Sequence, residues 1–183
     1  MKIYFSGSES SGKTTLARYT AKKYKLDFLP ETARTVLAEQ ELDINNMRAD
    51  IDMADKYQQL VFDRQIKEEQ KLTSFVADRS LIDVVAYSLQ YSTIGHSLYF
   101  SDELTTYIKA LRNDGAIVFF VRPSKSTLHN DGVRETVCWE KAVSIDATMK
   151  TLFSLINIEY YQIHTDSAQE RTQIINQVLS KLL

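Results

Sequence analysis

A single cysteine, Cys138, stands in 183 residues, which excludes a disulfide within the chain and any zinc site built from several thiolates. His96, His129 and His164 share no ligand spacing, so no histidine metal centre is expected either. No apolar run reaches the length needed to cross a bilayer. The opening Met-Lys-Ile-Tyr-Phe-Ser-Gly turns polar too soon for a secretory signal, so a reducing cytoplasm is the expected setting. Charge of one sign is missing as well: a formal net charge of −2 gives no electrostatic case for a surface that coats nucleic acid. Internal repeats and low-complexity tracts are absent. With 44% hydrophobic and 25% charged residues, the composition is that of a globular protein. The length fits one domain, residues 1–183, with a core of its own.

What is present begins at once. Lys2 to Ser6 is a short apolar stretch of strand character, and Thr15 to Lys25 carries Leu16, Ala17, Tyr19, Thr20 and Tyr24 at helical spacing. Between them Gly7-Ser8-Glu9-Ser10-Ser11-Gly12-Lys13-Thr14 satisfies the phosphate-loop pattern G-x-x-x-x-G-K-[ST] at every fixed position. The glycines let the backbone turn tightly and approach a polyphosphate without a Cβ in the way. Residues 7–15 then present successive N–H groups, and the free N–H groups of a helix start, to the phosphates of ATP. Lys13 adds a point charge at the β- and γ-phosphates, and the Thr14 hydroxyl is placed to hold Mg²⁺.

Further along, Leu26–Pro30, Thr73–Asp78, Ala116–Val121 and Glu159–His164 read as strands. Helices are expected over 31–39, over 47–71 (no Gly or Pro interrupts it), over 81–91, 102–112 and 136–156, and from a capping box at Ser167–Glu170 onward. The face of 47–71 is marked by Met47, Ile51, Ala54 and Val61, widened by Tyr57 and Leu60. The charge run at 67–71 is read as solvated. Residues 92–101, with Gly95, and the polar stretch 122–134 are expected as loops. Strands alternating with helices imply a parallel sheet, with ligands at the carboxyl ends of the strands. The polar clusters 7–14, 31–34, 78–80, 122–134 and 165–171 each come directly after a strand, which points to one cleft.

With these residues in view, the chain resembles P-loop nucleoside and nucleotide kinases, in particular the small AAA-like ATPase/kinase family that includes the ribosylnicotinamide kinase domain and phage nucleotide kinases. The resemblance rests on Gly7–Thr14, Glu31-Thr32-Ala33-Arg34, Asp78-Arg79-Ser80 and Asp131-Gly132-Val133-Arg134. It implies an α/β three-layer fold, a five-stranded parallel sheet in the order 2-3-1-4-5, and a lid near residues 122–135 closing over ATP. Asp78 is then a Mg²⁺ residue alongside Thr14, or else a helix cap. Arg79 clamps a substrate phosphate or sugar, or forms a structural pair with Asp78 or Glu31. Glu31 is a candidate base and Arg34 an acceptor-phosphate ligand. Arg134, with Arg122 and Lys125 behind it, is the candidate for delivering positive charge to the transferring phosphoryl group. The expected activity is ATP-dependent phosphorylation of a small acceptor, with a deoxynucleoside monophosphate preferred. A nucleoside or nicotinamide riboside, a 5-hydroxymethyluracil-type base in DNA, and an ATPase switch without small acceptor stand as alternatives.

Overall fold

A computed structural model describes residues 1–126 and 138–182. In chain order the elements are β1 (Lys2–Ser6), α1 (Lys13–Tyr24), β2 (Asp27–Leu29), α2 (Thr32–Glu39), α3 (Ile44–Ala49), α4 (Ile51–Glu69) and β3 (Phe75–Asp78). They continue as α5 (Leu81–Tyr91), α6 (Gly95–Tyr99), α7 (Asp102–Asn113), β4 (Ile117–Val121), α8 (Trp139–Leu155), β5 (Tyr161–Ile163) and α9 (Ala168–Leu182). The strands form one sheet in the order β2-β3-β1-β4-β5, and every neighbouring pair is parallel. This is the order that the resemblance implied.

Strand periodicity sorts the core into two layers. Ile3, Phe5, Val76, Phe119 and Val121 face one side, where Leu16 and Ala17 of α1 and Ile175 and Leu179 of α9 cover them. Tyr4, Phe75, Ala77, Val118 and Phe120 face the other, against α4, α5, α7 and α8. Each fully buried phenylalanine contributes about 1.5–3 kcal/mol of transfer free energy, so both layers hold the sheet against its helices. The register pairs Phe5 with Asp78 and Ser6 with Phe120, which brings the ends of the three central strands to one level. The loops leaving these strands are therefore gathered at a single edge.

Three expectations need correction. The run 47–71 is not one helix: it breaks at Asp50, whose Oδ1 accepts from the N–H groups of Asp52 and Met53 at 3.0 and 3.1 Å. A side chain that caps the next turn competes with the helix passing through it. Because the helix restarts there, the apolar stripe shifts. Met47, Ala54, Tyr57 and Val61 are buried, while Ile51 and Leu60 lie exposed. Second, residues 92–101 contain α6, and Gly95 marks close packing rather than a loose loop. A Cβ on Gly95 would stand 2.6 Å from the Leu89 backbone. Third, Cys138 lies before α8 rather than within it, and its sulfur accepts from Lys141 N–H at 3.4 Å.

Asp50→Ala removes a cap and nothing from the sheet edge. It should cost about 1 kcal/mol of stability in a denaturant titration and leave nucleotide affinity unchanged. An unchanged midpoint would show that α3 and α4 are held apart by packing alone.

Candidate active site

The loop after β1 is held by contacts from three other elements. Gly7 sits at φ +146°, and a Cβ there would come within 2.2 Å of the Val121 carbonyl oxygen, so only glycine fits against β4. Its N–H donates to Asp83 Oδ1 at 3.0 Å. Glu9 N–H donates to the Tyr87 hydroxyl at 3.0 Å, and that hydroxyl donates to Glu9 Oε2 at the same distance. Arg171 of α9 reaches the Ser11 carbonyl at 2.6 Å.

Lys13, the first residue of α1, is 4% exposed. Its ammonium donates to the Ser8 carbonyl and, at 3.3 Å, to Ser11 Oγ. Burial, reinforced by the nearby Arg79 cation, pushes its pKa down to about 7 against the pull of Asp78, Glu31 and Asp83. An anion reaching this ammonium would restore its charge.

Beside it, Thr14 Oγ1 donates to Asp78 Oδ2 at 2.5 Å. Asp78 Oδ1 is buried with no hydrogen-bond partner among the described residues, and burial holds the carboxyl above its usual range despite Lys13. A hydroxyl and a carboxylate side by side, with one oxygen left unmatched, are hard donors of the kind Mg²⁺ takes. The alternative of Asp78 as the α5 cap does not describe its contacts. Ser80 N–H and Oγ both donate to Asp83 Oδ2, at 2.9 and 2.8 Å, so Ser80 and Asp83 form that turn.

Arg79 adopts φ +89°, a conformation that costs of order 1 kcal/mol or more for a residue with a side chain. Its surroundings over-determine it. Nε donates to Glu31 Oε1 at 2.8 Å and Nη1 to the Gly7 carbonyl at 3.2 Å. Asp83 lies 3.7 Å away, and the guanidinium rests 4.8 Å from the centre of the Tyr87 ring. Arg34 Nε donates to Glu31 Oε2 at 2.9 Å. Glu31 thus accepts from both arginines, while its own residue is only 7% exposed. The three line a pocket together with Arg48, Asp83 and the apolar or aromatic side chains of Leu37, Met47, Val61 and Tyr87. Gln58 also lines it, with its side-chain oxygen accepting from Ser88 Oγ at 3.2 Å.

The sequence-based candidates Gly7 to Thr15, Glu31, Arg34, Asp78 and Arg79 therefore meet at one edge. Arg34 and Arg79 do so as partners of Glu31 rather than as a separate anion site. Arg122 is drawn elsewhere: it grips Asp146 through two nitrogens at 2.7 and 2.6 Å. Lys125 lies over the Trp139 ring. Arg134 and most of the expected lid lie outside the described residues. Asp83, Tyr87, Gln58 and Arg171 were not anticipated. Asp83 carried a signal in the capping-box spacing Ser80-x-x-Asp83, and Arg171 closes the polar cluster 165–171 that follows the last strand.

A phosphate loop between strand and helix, on a 2-3-1-4-5 parallel sheet, defines the class as a nucleotide-binding protein with the P-loop kinase fold. The chain belongs to the family described as AAA domain, whose model matches residues 2–171. No curated protein matches it in sequence. Among solved structures it is similar to deoxyadenosine kinase from M. mycoides with bound dATP, at 17% identity and TM-score 0.69 over 98% of this chain and 100% of that one. It is also similar to shikimate kinase from Aquifex aeolicus, at 13% identity and TM-score 0.60 over 100% and 96%. NadR in complex with NAD and AMP-PNP gives 15% identity and TM-score 0.67 over 96% of this chain and 48% of that one, so the chain spans about half of NadR. At these identities the likeness is one of fold.

Asp78→Asn should raise the Mg²⁺ concentration needed for half-maximal turnover and slow that turnover, while ATP affinity without metal changes little. Magnesium titration of the two proteins checks this. Superimposable curves would leave Asp78 with no part in metal binding.

Proposed function

We propose that this chain transfers the terminal phosphoryl group of ATP to a hydroxyl group of a nucleoside. The observation that carries the acceptor class is Glu31, a buried carboxylate lining the pocket with Arg34 and Arg79 both turned onto it. A hydroxyl must lose its proton as the new O–P bond forms, and a carboxylate within reach accepts it. A monophosphate acceptor instead requires cationic groups available to it. Here Glu31 accepts from both arginines and Asp83 adds a second anion beside Arg79, so the carboxylates offset the positive charge of Arg34 and Arg79, while Arg48 lines the same pocket. On this ground we favour a hydroxyl acceptor over the monophosphate preferred from the sequence.

The remaining roles are read from position. Lys13 and the N–H groups of residues 7–15 take the phosphates of ATP. Thr14 and Asp78 would hold Mg²⁺, which when bound offsets charge on those phosphates. Arg79 orients Glu31 and the acceptor hydroxyl, and Arg134 is the residue assigned to the transferring group's charge. The apolar walls with Tyr87 suit a planar base, and the fixed carboxamide of Gln58 suits its hydrogen-bonding edge.

Coupled ADP release across a panel of nucleosides, their monophosphates and hydroxymethylated DNA tests the reading. Nucleosides should stimulate the rate, and Glu31→Gln should lower kcat by about 10²–10⁴-fold with little change in KM. Stimulation by monophosphates alone, with Glu31→Gln near wild type, would overturn it. A rate stimulated by none of the panel would favour a nucleotide-driven switch.

A further inference from the structure

Arg171 lies in the first turn of α9, far in sequence from the loop it touches. It is 5% exposed, and it spends two nitrogens on backbone carbonyls: Nη1 donates to Ser11 and Nε to Thr165, both at 2.6 Å. Among the described residues no carboxylate comes within ion-pair distance of it, Asp166 acting on its charge only from further off, and Nη2 is buried without a hydrogen-bond partner there. Burial lowers its pKa accordingly. A buried cation left in this state is a poor device for stability, and a well-packed apolar side chain of similar volume does at least as well. Its use lies in what it holds.

The Ser11 carbonyl belongs to the same peptide group as the Gly12 N–H, and no peptide bond among the described residues is cis. In a trans peptide the two point in opposite directions. A guanidinium on the α9 side of the Ser11 oxygen therefore turns the Gly12 N–H away from α9. Gly12 itself stands at φ +92°, where a glycine lets the preceding peptide rotate at little cost unless something fixes it. It also leaves room for the fixing group: a Cβ on Gly12 would lie 2.8 Å from Arg171 Nη1.

We propose that Arg171 is a positioning residue for nucleotide binding, locking the Ser11–Gly12 peptide with its N–H directed at the phosphates. The proposal rests on the reading of Gly7–Thr14 as the ATP site. It assigns α9 a part in nucleotide affinity.

The test compares the full chain with Arg171→Met, Arg171→Lys and, as a control, Ile175→Val, a buried change one turn further along α9. Calorimetric Kd values for MgATP and MgADP, the acceptor KM and the melting temperature are read for each. Arg171→Met should weaken both nucleotides by about tenfold, leave acceptor KM unchanged and keep the melting temperature near that of wild type. Arg171→Lys, which keeps a donor for one carbonyl, should fall between. Ile175→Val should lower the melting temperature without changing either Kd. Nucleotide affinities that survive in Arg171→Met overturn the proposal, as does an Ile175→Val variant that loses affinity equally. If Arg171→Met does not fold, unchanged affinity in Arg171→Lys overturns it. Wild-type protein that binds no nucleotide refutes the ATP-site reading itself, a result distinct from the variants' failure.

Discussion

Lys13, Glu31, Asp78, Arg79 and Asp83 are all withdrawn from water at the carboxyl edge of one sheet. Each buried charge costs several kcal/mol unless partners offset it, so their mutual placement constrains everything around them. The sheet register sets that placement by bringing the ends of β1, β3 and β4 level. Strands of alternating faces, filled by phenylalanines on both sides, keep the level fixed. Arg79 shows how tight the arrangement is, since its positive φ persists only because a carboxylate, a carbonyl and an aromatic ring converge on its guanidinium.

The balance at that edge is incomplete in a directed way. Lys13 is desolvated until its pKa falls to about 7, and Asp78 keeps an oxygen unmatched. One deficit calls for an anion and the other for a cation, and the two groups belong to adjacent elements joined through Thr14. Metal and polyphosphate together would satisfy both. Glu31, Arg79 and Arg34, by contrast, bond to one another, so their side chains fix each other's orientation.

Legibility in the sequence tracked locality. Gly7–Thr14 is a contiguous motif whose strand, turn and helix all lie within two dozen residues, so each fixed position could be read. β4 was legible because a strand buried on both faces is an unbroken apolar run. Asp50 was not, since a capping aspartate inside a stretch without Gly or Pro looks like any exposed acid. The charge run at 67–71 divides the same way. Lys71 pairs with Glu68 at the surface, while Glu69 is buried beneath the hydroxyls of Tyr4 and Tyr107. Nothing in the local pattern separates the two glutamates. Arg171 meets Ser11 across 160 positions, and no spacing rule spans that distance.

The ambiguity over the acceptor has the same origin. Glu31 and Arg34, three residues apart at a helix start, are equally the pattern of a base beside an anion ligand and of an ion pair. Arg79, arriving after β3, adds what the local pattern lacks, a second arginine on the other oxygen of Glu31. The first turn of α5 then ties this triad to the phosphate loop. Asp83 receives Gly7 N–H through one oxygen and Ser80 through the other, while Tyr87 one turn later holds Glu9. One helix start thus contacts both the phosphate loop and Arg79.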